Sequence, residues 1–277
     1  CVCVWCPALC LPETPSNQPR QLVALKISSL ERIQHAQSQR STPENPIEEA
    51  RLLKQLSNGT GGPGHRNVMR LVDEFVLDGA HFAALELADQ GDLFGVIERH
   101  GRLSEAVVRK LFLQMIAGVH YLHDCGVAHL DLKPENLLFT SAGEIKICDF
   151  GMARVVAPSR FKAAAIASTS AAASSEMKAL DFKPKTLQGA VGTVMYMAPE
   201  VFAGQPFDPF AADVYSLGVI LYLLLTGGHA YELPTARDAR FSAIYSGRAG
   251  LVRLLHALGH QSLLSADAVD LMSRMMC

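Results

Sequence analysis

Eight consecutive residues constrain this chain more than any other feature: His129-Leu130-Asp131-Leu132-Lys133-Pro134-Glu135-Asn136. Thirteen residues beyond Asn136 stands Asp149-Phe150-Gly151, and Ala198-Pro199-Glu200 comes later. Val23-Ala24-Leu25-Lys26 lies upstream. Any one triplet alone is a weak signal, and the Asp131, Asn136 and Asp149 positions alone read as a structural turn with an Asp at a helix cap. The whole order, with suitable secondary structure between its members, is a far more specific pattern.

The stretches between the motifs divide the chain. Residues 21–30 read as a strand carrying one Lys. Ile47 to Leu56 repeats apolar residues at helical spacing, with Pro46 where a helix starts. Ser57 to Gly64 is a flexible loop by composition. Val68 to Phe75 and His81 to Leu87, joined by Asp78-Gly79, carry the signature of a hairpin. From Ser104, a plausible N-cap, the residues Val107, Val108, Leu111, Phe112, Met115, Val119 and Leu122 stack on one helix face. Asn136 to Phe139 and Glu144 to Cys148 are short strands about a Ser141-Ala142-Gly143 turn. Ala163 to Ser175 is almost purely Ala, Ser and Thr and builds no core; it reads as a surface insert. After Pro199 the chain is helical to its end. A strand-rich first third and a helix-rich remainder imply an α+β fold of two lobes.

At 277 residues, with 49% of them apolar, the chain can bury a substantial core. A net charge of −2 gives no hint of a nucleic-acid or acidic-membrane partner, and neither is expected. Val214 to Leu225, broken by Ser216 and Gly218, is too short to span a bilayer and reads as a buried core helix. Four of the seven cysteines, Cys1, Cys3, Cys6 and Cys10, crowd the start. Metal and disulfide readings there compete with a ragged end of an incomplete chain, because no second ligand cluster follows at a suitable spacing. The scattered remainder suits a reducing, cytoplasmic location.

The ordered motifs resemble the catalytic domain of eukaryotic serine/threonine protein kinases. The resemblance implies a small β-rich N-lobe and hinge over 21–88, a larger α-helical C-lobe over 89–277, and an atypical segment at 1–20 outside the fold. It implies transfer of the γ-phosphoryl group of ATP to a protein hydroxyl, with Mg²⁺ as metal. Asp131 matches the catalytic base, while Asn136 and Asp149 match the metal ligands. Lys26 matches the lysine that neutralises the α- and β-phosphates. Its helix partner is Glu48 or Glu49, and alignment with the family's helix favours Glu49. Leu85 looks like the residue gating the space behind adenine. Backbone groups of Glu86 and Ala88 would bond the base, Ala24 and Leu138 would sandwich it, and Asp92 would bind ribose. Lys133 would contact the γ-phosphate. Thr193 in the loop before Ala198 supports Ser/Thr substrates, and Glu135 could read a basic substrate residue. Asp213 matches an acid that braces the catalytic loop.

Gly91-Asp92-Leu93-Phe94 and Phe241 to Gly247 are similar to the calcium/calmodulin-dependent group. Calmodulin is thereby admitted as a partner, through a regulatory region outside this sequence. Three departures from the family stand out. Leu130 replaces the Arg that usually precedes the catalytic Asp. Asp149 to Glu200 spans 52 residues, lengthened by the Ala/Ser insert. The first two strands, with their glycine-rich loop, and the helix that supplies an Arg to Glu200 are both missing, so the expected domain is incomplete. The alternative to an active kinase is a pseudokinase or scaffold-type binding module, or an inactive fragment lacking that loop.

Overall fold

The computed structural model describes residues 22–38, 45–57, 64–159, 186–260 and 262–276. The cysteine-rich start and the Ala/Ser insert therefore lie outside the described residues. The first lobe holds a three-stranded antiparallel sheet in the order β1-β3-β2. Strand β1 (Val23–Ser29) alternates sides: Val23 and Leu25 are buried on one face, while Ala24 and Lys26 lie on the other. The hairpin of β2 (Leu71–Leu77) and β3 (Ala80–Glu86) closes on Asp78-Gly79, whose φ values of 47° and 73° are those of a type I′ turn. Lys26 sits opposite Ala83 and Ala24 opposite Leu85.

Helix α1 (Leu30–Ser38) follows β1 without a break. Helix α2 (Pro46–Ser57) carries Pro in its first turn, where the missing N–H costs nothing, and buries Glu49, Ala50, Leu53 and Leu56. Glu49 is the one acid on this buried stripe.

The second lobe begins with α3 (Leu93–His100) and α4 (Glu105–Asp124). Three short strand pairings follow, from β4 (Val127–Ala128), β5 (Leu137–Phe139), β6 (Ile145–Ile147) and β7 (Arg154–Val155): β4 pairs with β7, β5 with β6, and Asp92 bridges to Leu138. After a short α5 (Pro199–Phe202) comes α6 (Pro209–Thr226), then α7 (Ala239–Tyr245), α8 (Arg248–Ala257) and α9 (Ala266–Met276). Helix α6 is apolar all round and long enough to cross a membrane, yet it is buried on nearly every side within the protein, as a central core helix is. Asp208 caps it by accepting from the N–H groups of Phe210 and Ala211. One continuous core runs from Leu53 and Leu71 of the first lobe through Met115 and Ile147 to α6. Val23, Leu25 and Ala84 form a smaller core on the outer side of the sheet.

The structure departs from the sequence reading in detail. The strand over 21–30 ends at Ser29, because Leu30 already starts α1. The first hairpin strand begins at Leu71 rather than Val68, which instead bridges to Ile147. Asn136 closes a 3₁₀ turn, so the next strand starts at Leu137. Ser104 does precede α4, but its side chain makes no capping bond. Val107 is not on the buried face: it is 45% exposed, one residue round from Val108.

Asp213, fully buried in the first turns of α6, faces back toward the 129–136 loop. Its two oxygens accept the N–H of His129 and of Leu130, each at 2.8 Å, and one also meets His123 Nε2 at 2.9 Å. Leu130 is thereby held at φ 66°, a left-handed conformation that costs an L-residue about 1–2 kcal/mol. Asp213→Ala is expected to strand two buried backbone donors and lower the unfolding free energy by about 3 kcal/mol or more. Urea unfolding with an unchanged slope measures this; a loss below about 1 kcal/mol would show that the loop holds itself.

Candidate active site

The site gathers where the sheet of the first lobe meets the 129–136 loop. Lys26 Nζ lies 2.9 and 2.7 Å from the two oxygens of Glu49, and 3.7 Å from Asp149 Oδ1. Glu49 is 6% exposed at its side chain, so its charge is held by the lysine rather than by water. Glu48, the other candidate, points outward and pairs with Arg51. Leu85 lines a small recess beside Lys26, Glu49 and Leu53.

On the other side, Asp131 is gripped from three directions. Lys133 Nζ donates to its Oδ2 at 2.7 Å, and the Thr193 hydroxyl donates to its Oδ1 at 2.7 Å. Asn136 Nδ2 donates to the Asp131 carbonyl at 2.8 Å and to Oδ2 at 3.2 Å. Lys133 also reaches Thr193 Oγ at 3.0 Å, which closes a ring of three side chains. Burial works against the charge on Lys133, but its bond to Asp131 and the negative charges of Asp131, Glu135 and Asp149 outweigh it and raise the ammonium pKa. Lys133 therefore stays cationic across the neutral range.

The close approach of Thr193 depends on Gly192. At φ 96°, a Cβ there would sit 2.3 Å from the Leu130 carbonyl oxygen, so only glycine permits it. His129 is fully buried, and its tautomer follows from its partners: Nδ1 accepts from the Asp131 N–H, which leaves Nε2–H to donate to the Cys148 carbonyl at 3.0 Å. Phe150, 2% exposed, lies against the same imidazole, with ring centroids 5.0 Å apart. Asp149, between Cys148 and Phe150, adopts φ 61° and is 46% exposed at its side chain.

Donor chemistry here suits Mg²⁺. Both amide hydrogens assigned to Asn136 point at Asp131, which leaves its Oδ1 as a neutral oxygen donor, and Asp149 adds an accessible carboxylate. Among the described residues there is no ready-made cluster of three or more His, Cys, Asp or Glu. Mg²⁺ does not need one, because it binds through one or two protein oxygens plus substrate phosphates and water.

The other expected residues differ in exposure. Ala24 and Leu138 are half-buried, Ala88 is buried and Glu135 is exposed. Asp92 also starts the next helix, since its carboxylate accepts the Gly95 N–H at 2.7 Å and caps α3. Glu200 is only half-buried. Sequence reasoning missed the partner of the Glu86 side chain, Lys146, whose Nζ lies 2.9 Å away and is almost wholly buried. A lone Lys between two Ile residues in a short strand was the available signal.

The protein kinase domain family matches residues 14–277, and the chain belongs to that family. It is 36% identical over 201 residues to CBL-interacting protein kinase 24 of Oryza sativa subsp. japonica, covering 70% of this chain and 39% of that protein. It is 39% identical over 181 residues to serine/threonine-protein kinase GIN4 of Saccharomyces cerevisiae (65% and 13%). With serine/threonine-protein kinase chk-1 of Caenorhabditis briggsae it shares 36% over 182 residues (66% and 32%). The chain thus spans less than half the length of these relatives.

The Lys26–Glu49 pair makes a separable prediction. Lys26→Met is expected to leave a buried, unpaired carboxylate and cost about 3–5 kcal/mol. Adding Glu49→Gln should recover at least half of that loss without restoring turnover. A denaturant double-mutant cycle checks it, and additive losses would show the two groups to be uncoupled.

Proposed function

We propose that this protein is a serine/threonine kinase that transfers the γ-phosphoryl group of ATP to protein hydroxyls. The observation that carries the reading is the hydrogen-bonded ring of Asp131, Lys133 and Thr193, with Asn136 bonded to Asp131, across from Lys26, Glu49 and Asp149. Lys26 is held by Glu49 at a distance suited to neutralise α- and β-phosphates. Asn136 and Asp149 would hold Mg²⁺, which when bound would offset charge on the phosphates. Asp131 keeps lone pairs free beyond those used by Lys133 and Thr193, so it can accept the proton of the substrate hydroxyl. The substrate oxygen then forms a bond to the γ-phosphorus, the bond to the ADP oxygen breaks, and Lys133 meets the migrating charge.

Thr193 supports hydroxyl substrates of the Ser/Thr class, because it fixes the substrate-side loop directly on the base. Glu135, exposed beside this loop, suits a basic residue in the substrate. Its charge, after burial as the larger cause, also raises the pKa of the Tyr196 phenol. Ala24, Leu138, Leu85 and the backbone of Glu86 and Ala88 would form the adenine site, with Asp92 toward ribose. A CBL protein is a candidate partner, on the strength of the CBL-interacting relative.

Transfer from labelled ATP to a mixed protein substrate, followed by phosphoamino-acid analysis, tests the reading. Phosphoserine and phosphothreonine are expected, and phosphotyrosine alone would overturn it. Asp131→Asn should lower kcat by about 10²–10⁴-fold with little change in nucleotide affinity. Asp149→Ala should abolish transfer. Turnover equal to wild type in either variant would remove the assigned roles and favour the binding-module reading.

Leu130 generates a further expectation. It is 7% exposed and apolar, so a phosphorylated activation segment finds no arginine at the position before Asp131. Phosphatase treatment should leave activity within a few-fold. A loss of roughly tenfold or more, equivalent to about 1.4 kcal/mol, would mean another basic residue serves as the anchor.

A further inference from the structure

Away from the catalytic residues, the structure contains a second cavity of about 370 Å³. It shares none of Lys26, Asp131, Asn136 or Asp149. Its polar wall is Arg66, Arg70, His65, Lys146 and Glu86, and its floor is apolar, made by Leu56, Val68 and Met69, each no more than 3% exposed. Three permanent cations thus face one acid.

The partners of these charges show which of them is uncommitted. The charge of Glu86 is matched by Lys146, from whose Nζ it accepts at 2.9 Å, and it also accepts the Arg70 N–H at 2.8 Å. Arg66 pairs with Glu144 at the surface. The guanidinium of Arg70 has no acid partner among the described residues. His65 reports the resulting field. Its imidazole stacks on Tyr121, with centroids 5.3 Å apart, and its Nδ1 accepts from the Asn67 N–H. Burial lowers the His65 pKa first, and the charges of Arg66, Lys146 and His120 lower it further. Glu144 and Glu86 match two of the three cations, which leaves one positive charge, that of Arg70, without an acid among the described residues.

We propose that this cavity is a binding site for a small organic phosphate, with the phosphate on Arg70 and Arg66 and the apolar body on Leu56, Val68 and Met69. An arginine fork matches a phosphate in geometry and charge. The volume lies in the range of small-molecule sites, roughly 300–1,000 Å³, and exceeds what a bare oxyanion fills. The floor supplies the apolar contact that a bare ion could not use.

Phenyl phosphate is a suitable probe, with phenol and inorganic phosphate as its two halves. Binding is followed on the His65 ring by NMR in the wild-type protein and in Arg70→Gln and Arg66→Gln. Phenyl phosphate should give a saturable shift of the His65 signals and raise the pH midpoint of their titration, because a nearby anion favours imidazolium. Inorganic phosphate should bind roughly tenfold more weakly and phenol not measurably; Arg70→Gln should weaken phenyl phosphate by roughly tenfold. Both arginines are exposed, so unchanged melting midpoints are expected in the variants. A His65 ring that does not respond in the wild-type protein overturns the site outright. Undiminished affinity in both folded variants removes the arginine role. Equal affinity for inorganic and phenyl phosphate removes the apolar half of the proposal.

Discussion

The carboxylate of Asp213 is the point from which the catalytic geometry is hung. It is buried, with no Lys or Arg at bonding distance among the described residues, and besides His123 Nε2 its partners are backbone N–H groups of a loop distant in sequence. Hydrogen bonds to a charged group contribute about 1.5–3 kcal/mol each. Two of them outweigh the cost of turning Leu130 left-handed. Once that turn is made, the Leu130 carbonyl points at Gly192, and Asp131 is presented to Thr193. A structural acid on the central helix thus fixes the reacting acid through the backbone. Neither the helix nor the loop would hold this geometry separately.

The second constraint acts on the opposite wall. Lys26 and Glu49 come from a strand and a helix that share no backbone bonds, so their pairing depends on where α2 lies. Packing of Leu53 and Leu56 into the common core sets that position. Tyr121 of α4 adds a polar tie: its hydroxyl donates to the Leu56 carbonyl at 2.7 Å and accepts the Gly64 N–H at 3.0 Å. The ion pair of the small lobe is therefore registered against a helix of the large one. The Glu86–Lys146 pair makes a second such tie, from the end of β3 to the strand that leads into Asp149.

These dependencies explain what could be read from the chain. Features governed by neighbours in sequence were legible: the Asp78-Gly79 turn, the Pro46 start of α2, and the strand that carries Lys26. Glu49 was favoured over Glu48 by alignment with a known helix, and in the structure it lies on the buried stripe with Ala50 and Leu53. The lost detail was tertiary. Nothing local marks Val107 as the residue turned out to water, because it differs from Val108 only by 100° of helix rotation. Helix α1 escaped notice because it follows β1 without a break, with no turn residue between Ser29 and Leu30. The capping role of Asp92 and the salt bridge of Lys146 each involve a residue whose neighbours suggested another environment.

The replacement of Arg by Leu at position 130 gains its meaning from this frame. An arginine there would bring charge to a spot that is 7% exposed and closely approached by Gly192. Leucine removes the need to satisfy a guanidinium, and with it the opportunity to recruit a phosphate. The far end of the segment between Asp149 and Glu200 is then held by bonds internal to the chain. Leu187 and Phe207 exchange backbone hydrogen bonds at 3.1 and 2.9 Å, Gly192 rests on the Leu130 carbonyl, and Thr193 is bonded to both Asp131 and Lys133. The geometry at the base is thus set by the close backbone approach of Gly192 to Leu130 and by the side chains of Asp131, Lys133 and Thr193.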